Sequence, residues 1–312
     1  IFKRKLYDKL LEWKNNRHGK TAVLIEGARR VGKSTLTKQF AENEYESYVM
    51  IDFSIVRDDV LELFNHIDDL DYFFLQLQFR LGVSLKERKS LVIFDEVQKC
   101  PKARQAIKHL VADGRYDYIE TGSLISIKKN VKDILIPSEE EKLFLYPMDY
   151  EEFKWALGDN TAIPQLRMLF DKKLSIGDAV TRKLMRDFRI YMVVGGMPQA
   201  VDTYIDTNNL MEVDRVKRNI IQLYEDDFYK IDSSGRLSML FDAIPAQLNS
   251  NASRYQVASA IGSNTNSDKI LQLISELRES MTINMAYHAN DPAVGMSLAM
   301  DINKYKMYIG DT

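Results

Sequence analysis

Cysteine is almost absent from this chain: Cys100 stands alone, so no disulfide can form within it and a reducing, cytoplasmic compartment is expected. Long hydrophobic runs are also lacking. The longest, residues 190–201, is too short to span a bilayer and contains two glycines and a proline. The charged, amphipathic start shows no signal peptide. With a net charge of −2, the chain has no general attraction to nucleic acid or anionic lipid, so any such contact must be local.

Histidine is also sparse, and the four histidines do not pair with cysteine or acids at metal-ligand spacing. No zinc site and no Ser-His-Asp arrangement is therefore predicted. Repeats and low-complexity tracts are missing as well. A 312-residue chain that is 45% hydrophobic and 28% charged is an ordinary globular protein of two or three domains.

Residues 24–35, LIEGARRVGKST, carry the strongest positive signal. They fit the phosphate-binding pattern G-x-x-x-x-G-K-S/T between a predicted strand at 21–26 and a predicted helix at 33–45. Backbone N–H groups of such a loop and the helix N-terminus converge on an anion. Lys33 is predicted to reach the β- and γ-phosphates and Ser34 to bind Mg²⁺. The predicted nucleotide-binding residues are Gly27, Ala28, Arg29, Arg30, Val31, Gly32, Lys33, Ser34 and Thr35.

A second, acidic strand follows at residues 89–101, where an apolar run ends in Asp95 and Glu96. Behind a phosphate-binding loop, the aspartate is predicted to hold the metal and the glutamate to orient and deprotonate an attacking water. A third strand, residues 116–123, ends in hydroxyls, and Thr121 or Ser123 is predicted to sense the γ-phosphate. A plain polar strand end is the alternative for these two.

Further strands are predicted at 48–54 and 142–148, and they alternate with helices. This pattern predicts an α/β fold with a parallel sheet and the nucleotide at the carboxyl ends of its strands. ATP is favoured over GTP, because no Asn-Lys-x-Asp guanine motif occurs; residues 303–306, NKYK, lack the aspartate.

The pieces GARRVGKST, IFDEVQKCP, ETGS, LYPMDYEEF (145–153) and YMVVGGMPQAV (191–201) run in this order along the chain. In them the sequence resembles the prokaryotic AAA-type P-loop ATPases whose C-terminal half is a domain of unknown function. The resemblance implies an AAA-like core, a helical connector, a winged-helix-like module and then, usually, a nuclease-like fold. The corresponding domain boundaries are 1–150, 151–235 and 236–312.

Two features depart from that family. Where members often carry a Gly-Arg pair suited to an arginine finger, this chain has Glu139, Glu140 and Glu141, which cannot neutralise phosphate charge. Residues 305–312 read as a strand with nothing after it, so the winged-helix-like module is expected to be truncated and the nuclease-like fold to be missing.

The second half offers two further candidates. Arg182, Arg186 and Arg189 share one face of a predicted helix at 181–194, either as phosphate contacts or as a solvated face paired with acids near 225–227. Residues 254–280 predict a helix-turn-helix-like core that turns at Gly262. Acidic residues outnumber basic ones five to three in 240–300, which favours packing or protein contact over DNA binding.

Together these features predict an Mg²⁺-dependent ATP hydrolase. Two alternatives stay open: an ATP-gated switch or protein-interaction module with little turnover, and a DNA-associated ATPase. The expected partners are ATP and a protein or a second copy of the chain. Neither nucleic acid nor a membrane is favoured.

Overall fold

The computed structural model describes residues 1–122, 139–263, 266–291 and 299–311. It divides into two compact units, Ile1–Met168 and Leu169–Thr312. Ser123, one of the two predicted γ-phosphate sensors, lies outside the described residues. No described helix is long and apolar enough to cross a membrane.

The first unit contains a five-stranded parallel sheet in the order β2-β3-β4-β1-β5. This architecture confirms the predicted α/β class. Every residue of β1, β3 and β4 is buried, as expected for central strands covered by helices on both faces. The strands are β1 (Ala22–Glu26), β2 (Ser47–Asp52), β3 (Ser90–Asp95), β4 (Asp117–Gly122) and β5 (Glu140–Phe144).

Helices cover the sheet on both sides. They are α1 (Lys5–Arg17), α2 (Lys33–Glu44), α3 (Asp58–Leu63), α4 (Leu70–Leu81) and α5 (Pro101–Asp113). Two further helices, α6 (Tyr150–Ala156) and α7 (Ala162–Asp171), follow the last strand along the chain. Alternate strand residues point to opposite faces. Ile25 and Ile93 pack in the core that includes α1 and α2, while Leu24 and Phe94 pack in the core that includes α4 and α5.

The second unit is helical and ends in an antiparallel strand pair. Its elements are α8 (Asp178–Val194), α9 (Pro198–Thr207), α10 (Leu210–Ile231), α11 (Arg236–Asp242), α12 (Ile244–Asn249), α13 (Val257–Ile261), α14 (Ser267–Glu279), β6 (Ile283–Ala289) and β7 (Met300–Ile309). The predicted turn at Gly262 separates α13 from α14. Asn266 caps α14, since its side chain accepts from the N–H of Asp268.

The strand predicted at 142–148 lies earlier than expected, because β5 begins at Glu140 and ends before Pro147. Glu140 pairs in register with Ala22, the first residue of β1, whereas the phosphate-binding loop follows Glu26. Four strand residues separate the two ends, or roughly 13 Å. The acidic run therefore lies at the amino ends of the parallel strands, whereas the phosphate-binding loop lies at their carboxyl ends.

Glu140 belongs to a buried ionic cluster with Arg104 of α5 and Glu120 of β4. The guanidinium contacts Glu140 through Nη1 at 3.0 Å and Nη2 at 3.1 Å, and its Nη1 lies 3.5 Å from Glu120 Oε2. All three side chains are no more than 1% exposed. Burial raises the pKa of Glu120 well above its usual value, the hydrogen bond with Glu140 raises it further, and Arg104 opposes both. One arginine thus faces two buried carboxyls, and the raised pKa favours the neutral form of Glu120.

This cluster predicts a pH dependence of stability. Glu120 keeps its proton in the folded state at pH values where the unfolded chain has lost it. Its contribution to the free energy of unfolding is therefore complete below the pKa of the unfolded state and is lost as the pH rises through the pKa of the folded state. One proton corresponds to a fall of about 1.4 kcal/mol per pH unit in unfolding free energy. Glu120→Gln, which is neutral at every pH, should flatten this fall above pH 5.

Urea unfolding between pH 5 and 8 checks the expectation. Tryptophan fluorescence suits it, because Trp13 and Trp155 both lie in the first unit. Glu141→Gln is the matched control, since Glu141 follows Glu140 in the same strand but is 32% exposed and pairs with Arg17. Parallel pH profiles for wild type and Glu120→Gln would contradict the expectation.

Candidate nucleotide-binding site

The phosphate-binding loop spans the end of β1 and the start of α2. Arg30 and Gly32 adopt left-handed conformations, with φ of 67° and 98°. At Gly27, a Cβ atom would lie 2.4 Å from the carbonyl oxygen of Leu145, a clash with backbone that excludes any larger residue. The two glycines of the pattern are therefore required for different reasons: Gly27 for close packing and Gly32 for its backbone conformation.

Lys33 lies folded over this loop. It is 6% exposed, and its Nζ donates to the carbonyl oxygens of Gly27 and Ala28, each at 3.0 Å. Burial lowers the pKa of Lys33, while the charges of Glu96 and Asp95 raise it and that of Arg29 lowers it. A poorly hydrated ammonium group at this place interacts strongly with a phosphate, since little water must be removed from it.

Two hydroxyl groups converge on one carboxylate oxygen. Ser34 Oγ donates to Asp95 Oδ1 at 2.8 Å, and Thr121 Oγ1 donates to the same oxygen. Asp95 itself is 4% exposed. Hydroxyl and carboxylate oxygens are the ligands that Mg²⁺ prefers, and Mg²⁺ binds through few protein groups beside water and phosphate. Ser34 and Asp95 thus fit a magnesium site, and groups of three or more His, Cys, Asp or Glu able to hold a metal do not occur among the described residues.

Glu96 follows Asp95 in a left-handed conformation with φ of 55°. Its N–H donates to Thr121 Oγ1 at 3.3 Å, and Gln98 Nε2 donates to its Oε2 at 2.5 Å. A non-glycine residue in this region costs of order 1–3 kcal/mol, and such residues cluster at functional sites. The hydrogen bond from Gln98 restrains the orientation of the Glu96 carboxylate.

The order of the sheet explains why these groups meet. β4 lies between β1 and β3, so the loop after β1, Thr121 of β4 and Asp95 of β3 end at the same edge. Thr121 pairs in register with Ile25, two residues before the loop. The structure brings together the predicted residues Gly27–Thr35, Asp95, Glu96 and Thr121, with the Arg30 and Thr35 side chains exposed. Their roles stay predictions.

Two neighbours of the site were missed by sequence reasoning. For Gln98, which the structure places in a short 3-10 helix, the only signal in the sequence is its spacing of two residues from Glu96. Arg4 offered no signal, since it is 27 residues from Val31, the loop residue whose carbonyl oxygen it binds. Contacts at that separation depend on the packing of α1 against the sheet, which no local pattern encodes.

Three arginines share one exposed face of α8 in the second unit. Arg182, Arg186 and Arg189 are exposed on α8, and Arg186 Nη2 lies 3.4 Å from Asp187. Of the acids expected to pair with them, Asp227 pairs with Lys230 on its own helix. Both interpretations of this face stay open.

A groove of about 470 Å³ lies within the second unit, between α14 and the β6–β7 pair. Its lining combines aliphatic and aromatic side chains with the polar residues Gln256, Ser275 and Asn303, and it contains two arginines, Arg254 and Arg278, but no acidic residue. Tyr255 and Tyr305 stack in it with ring centroids 6.4 Å apart. The groove is thus of mixed polarity, with positive charge at two places.

Comparisons with known proteins agree with this geometry. Residues 19–154 match the family model of an AAA domain, and residues 185–312 match a domain of unknown function, DUF8612. No protein of curated function matches. A solved Walker-type ATPase of Pyrococcus abyssi is 16% identical, covers 100% of this chain and 94% of its own, and superposes with a TM-score of 0.56, which shows a shared fold.

Two further solved structures are similar at lower scores. AMPPCP-bound DnaA from Aquifex aeolicus is 12% identical over 88% of each chain, with a TM-score of 0.38. The RuvB Holliday junction branch migration motor of Thermotoga maritima is 12% identical over 91% of this chain and 89% of its own, with a TM-score of 0.39. From the family matches and the parallel sheet with its phosphate-binding loop, this chain joins an AAA domain at residues 19–154 to a C-terminal domain of unknown function at residues 185–312.

Proposed function

We propose that this protein binds ATP with Mg²⁺ and hydrolyses it at the carboxyl edge of the first unit's sheet. One observation carries the proposal: Ser34 and Thr121 donate to the same oxygen of Asp95, while Lys33 lies over the loop and Glu96 follows Asp95. A phosphate-binding loop, a metal-holding pair and a carboxylate beside them are the parts that ATP hydrolysis requires.

Each residue then has a separate task. The N–H groups of Gly27–Ser34 and the start of α2 bind the phosphates, and Lys33 neutralises the β- and γ-phosphates. Glu96, held by Gln98, accepts the proton of the attacking water. Thr121 ties the backbone of Glu96 to Asp95, so that base and metal ligand keep a fixed spacing. Mg²⁺, bound through Ser34 and Asp95, would neutralise charge that develops on the transferred phosphoryl group.

For the rest of the chain we propose a helical connector at 151–235 and a winged-helix-like module at 236–312. The support is the order of α13, α14 and the β6–β7 pair, which resembles a helix-turn-helix followed by a wing. The acidic excess of this region favours protein contact over nucleic acid. A DNA-associated ATPase stays the less favoured alternative.

An ATP-gated switch with little turnover is the second candidate function, because glutamates occupy residues 139–141, where similar proteins often carry an arginine finger. The acidic run at 139–141 does not supply one: Glu140 is buried against Arg104, and Glu141 pairs with Arg17. An arginine supplied by a neighbouring subunit contributes about 10³–10⁵ in rate. Without it, hydrolysis should be slow and should not depend on assembly.

We therefore expect a slow basal ATPase whose specific activity changes by no more than about twofold across a roughly hundredfold dilution at fixed Mg-ATP. Phosphate release per molecule is the measurement. A steep rise with protein concentration would show that assembly completes the site. In that case, combined replacement of Arg182, Arg186 and Arg189 by Ala would test whether the α8 face supplies the missing charge.

A further inference from the structure

The segment after β5, which carries the motif LYPMDYEEF, wraps around the base of the phosphate-binding loop. Leu145 N–H donates to the carbonyl oxygen of Glu26 at 2.8 Å, and the Leu145 carbonyl contacts the bare Cα of Gly27. The next carbonyl, that of Tyr146, accepts a hydrogen bond from Arg4 Nη2 at 2.5 Å. The motif and the N-terminus thus meet behind the loop.

Arg4 connects all of these parts. It is 5% exposed, and its Nη1 donates to the carbonyl oxygen of Val31, inside the loop, at 3.0 Å. Its Nε lies 3.2 Å from Glu152 Oε2. A buried guanidinium is stable only with a counter-ion and hydrogen-bond acceptors. One carboxylate and two carbonyls meet that need.

Glu152 is fixed in turn by its own contacts. It is 5% exposed and is the third residue of α6, where it closes a capping box with Asp149. Its Oε1 accepts from the N–H of Lys5 at 2.6 Å. The counter-ion of Arg4 is therefore held by the start of α1 and the start of α6.

The bond to Val31 has a geometric consequence for the loop. The C=O of Val31 and the N–H of Gly32 belong to one planar trans peptide, in which the two groups point in opposite directions. When Arg4 holds the carbonyl on the outer side, the Gly32 N–H is turned to the inner side of the loop. Inward N–H groups are what a phosphate-binding loop offers to its anion.

We propose that Arg4 is a positioning residue for phosphate binding, which sets the Val31–Gly32 peptide with its N–H inward and is itself held by Glu152. The expected effect of Arg4 on nucleotide affinity rests on the proposed nucleotide function. Its effect on the conformation of the loop does not. The motif LYPMDYEEF then packs behind the loop and supports it.

Two measurements on Arg4→Met test it. Without nucleotide, amide hydrogen exchange of the loop should be about tenfold or more faster than in wild type, because the buried charge-assisted bond to Val31 is gone. With nucleotide, the Kd for Mg-ATP should rise about tenfold, while hydrolysis at saturating ATP stays within about twofold. Lysine carries a point charge that cannot contact both carbonyls and Glu152. Arg4→Lys should therefore give an exchange rate and a Kd between those of wild type and Arg4→Met.

Lys5→Met is the matched control. Lys5 binds the same segment through Asp149 at 2.5 Å and Glu151 at 2.8 Å, but its side chain is 40% exposed and does not contact the loop. It should leave exchange and Kd as in wild type. Equal effects of both variants would show general loosening of the N-terminus, and unchanged exchange in Arg4→Met would also overturn the proposal.

If Arg4→Met does not fold, Glu152→Gln serves with the same readouts, since it removes the charge that holds Arg4 and keeps the size of the side chain. A wild-type chain that does not bind Mg-ATP would contradict the proposed function instead. The exchange measurement without nucleotide still decides whether Arg4 holds the loop.

Discussion

Lys33→Ala should abolish tight binding of Mg-ATP. Lys33 Nζ lies over the loop carbonyls of Gly27 and Ala28 and is shielded from water, so its charge acts on the phosphates with little screening. Removing one partner of a buried, hydrogen-bonded charge pair costs about 2–5 kcal/mol. The Kd should therefore rise by roughly 30- to 4,000-fold, which calorimetric titration with Mg-ATP measures.

Lys38→Ala is the matched control for this experiment. Lys38 lies in the same helix α2, but its side chain is 57% exposed and its Nζ is 3.9 Å from Glu42. Its removal should leave the affinity for ATP unchanged. Wild-type affinity in Lys33→Ala would contradict the assignment of the loop.

Glu96→Gln should stop turnover while keeping the affinity for ATP. An amide of the same size can hold a water molecule by hydrogen bonds but cannot accept its proton. Loss of a general base typically costs about 10²–10⁴-fold in rate. Phosphate release at saturating Mg-ATP gives the rate, and calorimetry gives the affinity of the same preparation.

Glu46→Gln controls for the loss of one acidic group. Glu46 precedes β2 at the far edge of the sheet, where it is exposed and pairs with Lys86 and Lys89. It should hydrolyse ATP at the wild-type rate. Hydrolysis at that rate by Glu96→Gln would show that another group takes the proton, and the strand-end interpretation would be wrong.

The α/β fold of the first unit was predictable from local patterns. β1 and β3 are apolar along their whole length because helices cover both faces, and such runs are visible in sequence. The loop was predictable because its chemistry needs glycine at two places and a lysine at the start of a helix. The Gly27 and Gly32 positions follow from contact and conformation that tolerate little else.

Contacts between distant segments were not predictable in the same way. The Arg4–Val31 and Arg104–Glu140 pairs join residues whose separation along the chain carries no periodic signal. Arg104 also shows why the acidic run was hard to interpret. A run of glutamates normally predicts a solvated surface, but Glu140 in β5 is buried against Arg104 of α5.

Hydrolysis of γ-phosphate-labelled ATP in a single turnover, with the wild-type chain in excess and Mg²⁺ present, tests the central claim most directly. The account predicts that bound ATP is converted to ADP and inorganic phosphate, and that Glu96→Gln holds the same ATP intact for at least about a hundred times longer. ATP that does not bind, or that wild type holds unhydrolysed for as long as the variant does, would contradict it.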